Sequence, residues 1–241
     1  MPAKQQVKLH DETIDIIRSG SFNTNYILDN IDNIDPFLLS PKEAKKGNAF
    51  FTPVEIAFHI MPWSNVDNSI ILDLCAGIGV LSFVHSYRNP SNKYICVENN
   101  PLFVEIGKLI VPQATWICAD VTKELIESLE FDMVISNPPF GAKFEGYDEK
   151  SHVAAIRIAI ENTKDFGGTF ILPKGTGVSR VRGENDRTVD YFKNEQTESL
   201  IKEKCEQRYV SAYIVESFEK GFLHTSSPVE IVDLYMDYRE D

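Results

Sequence analysis

The sequence predicts an α/β fold, a seven-stranded, mostly parallel sheet with helices on both faces and an antiparallel hairpin at its end. Three observations carry this expectation. Short apolar strands alternate with helical stretches between residues 69 and 172, the pattern of successive βα units. The first strand, Ser69 to Leu74, enters a glycine turn, Cys75-Ala76-Gly77-Ile78-Gly79, that leads straight into a helix. Two alternating segments, Tyr209 to Glu216 and Val229 to Tyr238, follow at the end and read as an antiparallel pair.

A chain of 241 residues with 43% apolar side chains has enough material for one main domain and a small appendage. We place a helical arm at residues 1–47 and the main domain at 48–241. The net charge of −12 argues against tight, non-specific attraction to a polyanion, which draws on neutralisation of phosphates by Lys and Arg. The polar start from Met1 to Glu12 has no apolar core of a signal peptide, and no run approaches the ~18 apolar residues of a membrane span. Cys75, Cys96, Cys118 and Cys205 form no C-x-x-C pair, so they read as small hydrophobes in a reducing, cytoplasmic setting with no structural metal site.

In chain order, His10 to Arg18 carries Ile14 and Ile17 at helical spacing, and Asn23 opens a second short helix that stops before Asp35-Pro36. The stretch Pro41 to Gly47 holds Lys42, Lys45 and Lys46, as a solvated run or a phosphate-facing loop. Phe50-Phe51-Thr52-Pro53 predicts a helix start, with Thr52 as N-cap, Pro53 at the first helical position, and Val54, Ala57, Phe58 and Met61 on one face. The glycine turn continues into a helix over Val80 to Tyr87. A second strand, Lys93 to Val97, ends in Glu98, after which Asn100 and Pro101 start a helix with Phe103, Ile106 and Ile110 inward. The third strand, Thr115 to Cys118, ends near Asp120. The fourth, Phe131 to Ile135, runs into Ser136-Asn137-Pro138-Pro139-Phe140-Gly141. His152 to Ile160 reads as the next crossover helix and Thr169 to Leu172 as the fifth strand. A polar loop, Lys174 to Arg187, and a helical stretch, Asn194 to Cys205, precede the final hairpin.

The Asn-Pro-Pro-Phe turn has a definite chemistry. Asn137 offers a side-chain carbonyl, and Pro138 a backbone carbonyl without a competing N–H. Two prolines fix φ near −65° and stiffen the turn. Phe140 adds a flat apolar face. Two held acceptors beside an aromatic plate receive a planar NH₂ group, whether an adenine amine or a side-chain amide. In an open α/β sheet, the glycine turn, the strand-ending acids and this turn all converge on one carboxyl-end crevice.

These residues, in this order, resemble the S-adenosylmethionine-dependent amino-methyltransferases. Phe50-Phe51-Thr52-Pro53, then Asp73-Leu74-Cys75-Ala76-Gly77-Ile78-Gly79, then Glu98, Asp120 and Asn137-Pro138-Pro139-Phe140, are similar to the gamma-type DNA adenine-N6 methyltransferases over residues 48–175. The resemblance implies a Rossmann-like class I methyltransferase fold, S-adenosylmethionine as cofactor, and methylation of DNA of the restriction–modification kind. It implies a cofactor site of Phe51, Thr52, Pro53, Asp73, Cys75, Ala76, Gly77, Gly79, Glu98, Asn99, Asp120, Val121 and Asn137. Within it, Asp73 and the Gly77/Gly79 turn would cradle the amino-acid end, Glu98 would accept the ribose hydroxyls, and Asp120 the adenine amine. Phe51 and Thr52 would close over the methionine end. Asn137, Pro138, Pro139 and Phe140 would be catalytic, with Phe140 stacked on a flipped base.

Substrate contacts are expected from Lys143, from Arg180, Arg182 and Arg187 in a phosphate-gripping loop, and from Phe222 and His224 in the last hairpin. Only about a hundred residues follow Asn137, too few for the sheet plus a separate target-recognition domain. Recognition is then expected from loops, from residues 1–47, or from a second subunit or second copy. DNA is the favoured substrate. The alternatives are structured RNA, whose small adenine methyltransferases share these motifs, a protein glutamine, or a subunit that only binds the cofactor.

Overall fold

The computed structural model describes residues 19, 50–60, 66–163, 166–174, 178–182, 188–192, 208–220 and 227–238. Apart from Ser19, the arm at 1–47 lies outside them, as do Lys42, Lys45, Lys46, Arg187, the stretch 194–205, Phe222 and His224. The strands are β1 (Ile70–Leu74), β2 (Lys93–Glu98), β3 (Thr115–Cys118), β4 (Met133–Ser136), β5 (Phe166–Pro173), β6 (Val178–Arg182), β7 (Thr188–Phe192), β8 (Arg208–Phe218) and β9 (Val229–Tyr238). They form one sheet in the order β3-β2-β1-β4-β5-β9-β8-β7-β6. Pairing is parallel from β3 to β5 and antiparallel from β5 outward through β9 and β8. The first seven in that order are the predicted sheet. Strand order reverses between β1 and β4, and ligand crevices of such sheets open at the carboxyl ends there.

The extra strands, β6 and β7, occupy a stretch expected to be a loop. Arg180 faces Asp190 and Arg182 faces Thr188 across an antiparallel ladder. Val178 and Val181, and Thr188 and Val189, supply the β-branched residues that a ribbon favours, and the charges among them obscure that signal in the sequence.

The helices are α1 (Val54–His59), α2 (Val80–Arg88), α3 (Pro101–Ile110), α4 (Lys123–Glu127) and α5 (Ser151–Asn162). One face of the sheet packs Ile71, Met133 and Ile135 against α1, α2 and α3. The other packs Leu72, Leu74 and Val134 against Ile126 of α4 and Ala155, Ile158 and Ala159 of α5. The alternation along β1 thus feeds two cores at once, as a sheet covered on both sides requires. α3 follows the sequence closely: the Asn100 side chain accepts the Leu102 amide at 3.1 Å, Pro101 opens the helix, and Phe103, Ile106 and Ile110 are buried. None of the helices described is long and apolar enough to cross a membrane.

α1 departs from expectation. Pro53, not Thr52, stands in the cap position, and having no polar side chain it leaves the helix without a side-chain cap. Its buried stripe is Ile56, Ala57 and Ile60, while Phe58 is 36% exposed beneath the Arg88 guanidinium, 5.1 Å from the ring centroid.

Candidate active site

At the end of β1 the backbone turns through three positive φ values: Cys75 at 60°, Gly77 at 57° and Gly79 at 86°. Glycine adopts this region without penalty, so the turn can be tight. The Ala76 amide bonds the Val97 carbonyl at 3.0 Å, and the Gly79 amide bonds the Ala76 carbonyl at 2.8 Å, laying the turn across the end of β2. Phe51 lies directly over it, since a Cβ on Gly77 would meet Phe51 Cδ1 at 3.4 Å. The Phe51 ring in turn packs edge-on to Phe103 at 5.0 Å.

Asp73 does not take the place expected of it. It is fully buried, and its Oδ2 accepts the Ser82 amide at 3.2 Å and the Ser82 hydroxyl at 2.7 Å. Gly79 has no side chain with which to cap α2, so the carboxylate on β1 satisfies the orphan amide of the first turn instead. With no exposed surface, Asp73 supports the turn from beneath. Burial pushes its pKa up to about 7, against the two Ser82 bonds and with help from the Glu98 charge.

Glu98 is the best-organised group at the strand ends. Its Oε2 accepts the Gly77 amide at 2.9 Å and its Oε1 accepts the Asn100 amide at 2.8 Å. One carboxylate thereby joins the glycine turn to the head of α3. At the next strand end, Asp120 is exposed and accepts the Asn99 side-chain amide at 2.7 Å, whereas Val121 is buried in the core under α5. The half-buried Cys75 thiol reports the ring of acids. Desolvation raises its pKa well above the ordinary value, and Glu98, Asp73 and Asp120 each raise it further, so the sulfur stays protonated. Among the described residues no three His, Cys, Asp or Glu side chains gather as metal ligands would.

The Asn-Pro-Pro-Phe turn leaves β4 beside β1, where the Ser136 hydroxyl donates to the Leu74 carbonyl at 2.7 Å. The Asn137 amide nitrogen donates to the Phe50 carbonyl at 3.2 Å and to the Thr52 hydroxyl oxygen at 3.1 Å. Pro138 is buried, while Pro139 and Phe140 are half-buried. Ser151, the first residue of α5, donates its hydroxyl to the Pro139 carbonyl, and its amide bonds the Ala142 carbonyl at 2.9 Å. Thus Phe51, Thr52, Gly77, Glu98 and Asn137 meet at the strand ends. Ser82 and Ser151 were missed; only Ser151, at a helix start, carried a local signal.

Of the expected substrate residues, the three described, Lys143, Arg180 and Arg182, are not brought together. Lys143 bonds the Asp148 carbonyl at 2.5 Å within its own loop. Arg180 and Arg182 lie on β6, the edge strand five places from β4, roughly 24 Å away at ~4.8 Å per strand.

This geometry agrees with what the chain is similar to. Residues 59–167 match the family model of the methyltransferase small domain. Its cofactor is S-adenosylmethionine, and the Rossmann-like sheet is that of the S-adenosylmethionine-dependent methyltransferases. A release factor glutamine methyltransferase of Mycolicibacterium smegmatis is 28% identical over 109 residues, 42% of this chain and 39% of that protein. A tRNA1(Val) (adenine(37)-N6)-methyltransferase of Aliivibrio fischeri is 30% identical over 84 residues, 32% of this chain and 36% of that protein. The chain therefore spans well under half the length of either relative. Two solved structures share the fold. The type I restriction-modification methyltransferase subunit of Streptococcus thermophilus has a TM-score of 0.54 at 16% identity, covering 78% of this chain and 45% of that one. A dimethyladenosine transferase of Plasmodium falciparum has a TM-score of 0.52 at 14% identity, covering 78% and 63%.

The residues present fit the cofactor. The half-buried backbone from Cys75 to Gly77, the acceptor-only Glu98 carboxylate and the Asn99–Asp120 pair make a donor and acceptor set suited to an amino acid, a ribose diol and an adenine.

Proposed function

We propose that this protein transfers the methyl group of S-adenosylmethionine to the exocyclic N6 amine of adenine in nucleic acid, with DNA ahead of RNA. One observation carries the reading. The Phe50 carbonyl only accepts hydrogen bonds, so the Asn137 amide must turn its NH₂ toward residues 50–52 and keep its Oδ1 as an acceptor. Ser151 engages the Pro139 carbonyl, whereas the Pro138 carbonyl has no partner among the described residues. The turn therefore presents two acceptors, as a planar amine with two N–H bonds requires.

When bound, S-adenosylmethionine supplies an electrophilic methyl group on a sulfonium. Glu98 would hold the ribose hydroxyls, the Cys75 to Gly79 turn the amino-acid end, and Asp120 with Asn99 the adenine amine. Asn137 Oδ1 and the Pro138 carbonyl would take the two amine hydrogens and draw the nitrogen toward a tetrahedral shape, directing its lone pair along the free axis. Phe140 would stack on the base. Positioning and preorganised acceptors carry the rate, and no strong general base is needed.

DNA is favoured by the order Phe-Phe-Thr-Pro, glycine turn, Asn-Pro-Pro-Phe, as in the gamma-type enzymes. Arg180 and Arg182 would contact only a polymer long enough to span from the turn to β6. Structured RNA is the second reading, supported by the Aliivibrio fischeri relative. A protein glutamine is the third, supported by the Mycolicibacterium smegmatis relative. Incubation with labelled cofactor and duplex DNA, single-stranded DNA, structured RNA or protein, followed by nucleoside and amino-acid mass spectrometry, separates the three. The proposal expects N6-methyladenine in DNA, abolished by Asn137→Ala with cofactor binding retained. Turnover by Asn137→Ala would overturn the mechanism.

A further inference from the structure

We infer that Thr52 is a positioning residue for the catalytic amide, holding Asn137 in the one orientation that receives an amine; the inference rests on the reading above. A terminal amide has two orientations of similar shape. In one, Oδ1 meets the incoming amine. In the other, Nδ2 meets it, donor against donor. Nothing within Asn137 itself chooses between them, because oxygen and nitrogen are nearly the same size.

The choice comes from 85 residues earlier in the chain. The two amide hydrogens of Asn137 have two acceptors, the Phe50 carbonyl at 3.2 Å and Thr52 Oγ1 at 3.1 Å. Thr52 is only 5% exposed and Asn137 is half-buried, so water is a poor substitute for a lost bond. The Phe50 carbonyl sets the polarity, since it cannot donate. The hydroxyl holds the second hydrogen and stops rotation of the amide plane about the first bond.

Thr52 is free for this duty because it does not cap α1. Between the two acceptors, Phe51 lies over Gly77. Residues 50–52 therefore hold the glycine turn with one side chain and the amine receptor with the next. The Thr side chain expected from sequence to close over the cofactor acts instead on the group that receives the amine.

The test uses the full chain with Thr52→Val, which keeps the shape and removes the hydroxyl, and Thr52→Ser, which keeps the hydroxyl. Three quantities are read: single-turnover methyl transfer to a saturating polymer, cofactor affinity by calorimetry, and hydrogen exchange of the Asn137 side-chain NH₂ by NMR, assigned through its loss in Asn137→Ala. We expect Thr52→Val to slow transfer at least tenfold, leave cofactor Kd within twofold, and speed exchange of the Asn137 amide. Thr52→Ser should restore rate and protection to within about threefold of the parent. A Thr52→Val protein with parental transfer and exchange rates overturns the inference. So does a loss confined to cofactor affinity, which would return Thr52 to the cofactor. The exchange measurement needs no substrate, so absence of methyl transfer in the parent protein would defeat the proposed function and leave this inference separately readable.

Discussion

The Ser151 hydroxyl donates to the carbonyl of Pro139, tying the first residue of α5 to the turn that carries Asn137. Ser151 has no exposed surface and Pro139 is half-buried, so water is a poor substitute for the bond. Together with the Thr52–Asn137 bond it holds the turn from both ends.

Ser151→Ala leaves that carbonyl without its donor, and an unsatisfied buried acceptor costs about 1–3 kcal/mol. The variant is expected to melt several degrees lower and to turn over more slowly, with cofactor affinity preserved. Thermal unfolding together with calorimetry checks this. A wild-type melt would mean that the Pro139 carbonyl finds another partner.

Glu98→Gln keeps the length of the side chain but sets an NH₂ against either the Gly77 or the Asn100 amide, two donors where the carboxylate offered acceptors. Cofactor affinity is expected to fall at least tenfold, on the order of 1.4 kcal/mol. Calorimetric titration reads it directly, and an unchanged Kd would remove Glu98 from the cofactor site.

Asp73 imposes a sign on the pH dependence of stability. Its pKa rises from an ordinary 3.8 to about 7 on folding, so the folded protein binds more protons than the unfolded chain between those values. The stability linked to Asp73 is therefore full below about pH 4 and is lost as pH rises toward about 7, with no further change above. Asp73→Asn should flatten that slope in denaturant titrations from pH 5 to 8. A slope identical to the parent's would show that other groups set it.

Gly168 sits at the irregularity where β5 meets β9, with φ of 154°. A Cβ there would lie 2.1 Å from the Val134 carbonyl oxygen, a backbone atom of β4 that cannot swing aside. Gly168→Ala is expected to cost roughly 3 kcal/mol through overpacking, lowering Tm by roughly 6–12 °C for a domain of this size. Calorimetric melting measures it, and a shift under 2 °C would show that β5 adjusts freely.

The sequence by itself determined the seven-strand frame, the two-sided burial of β1, the start of α3 and the meeting of the strand-end motifs. These are local patterns, because periodicity, caps and glycine turns act within a few residues of chain. Tertiary structure decided the rest. Asp73 reads as a ligand in its motif, but packing of α2 over β1 turns it inward to Ser82. Arg180 and Arg182 read as a loop beside the crevice, but pairing with β7 carries them to the far edge of the sheet. Thr52 reads as a helix cap, but the fold sets residues 50–52 beside the Asn-Pro-Pro-Phe turn, where the Thr52 hydroxyl oxygen accepts from the Asn137 amide. A hydrogen bond between residues 85 apart has no local signature; which partner a side chain takes depends on what the fold sets within 3 Å of it.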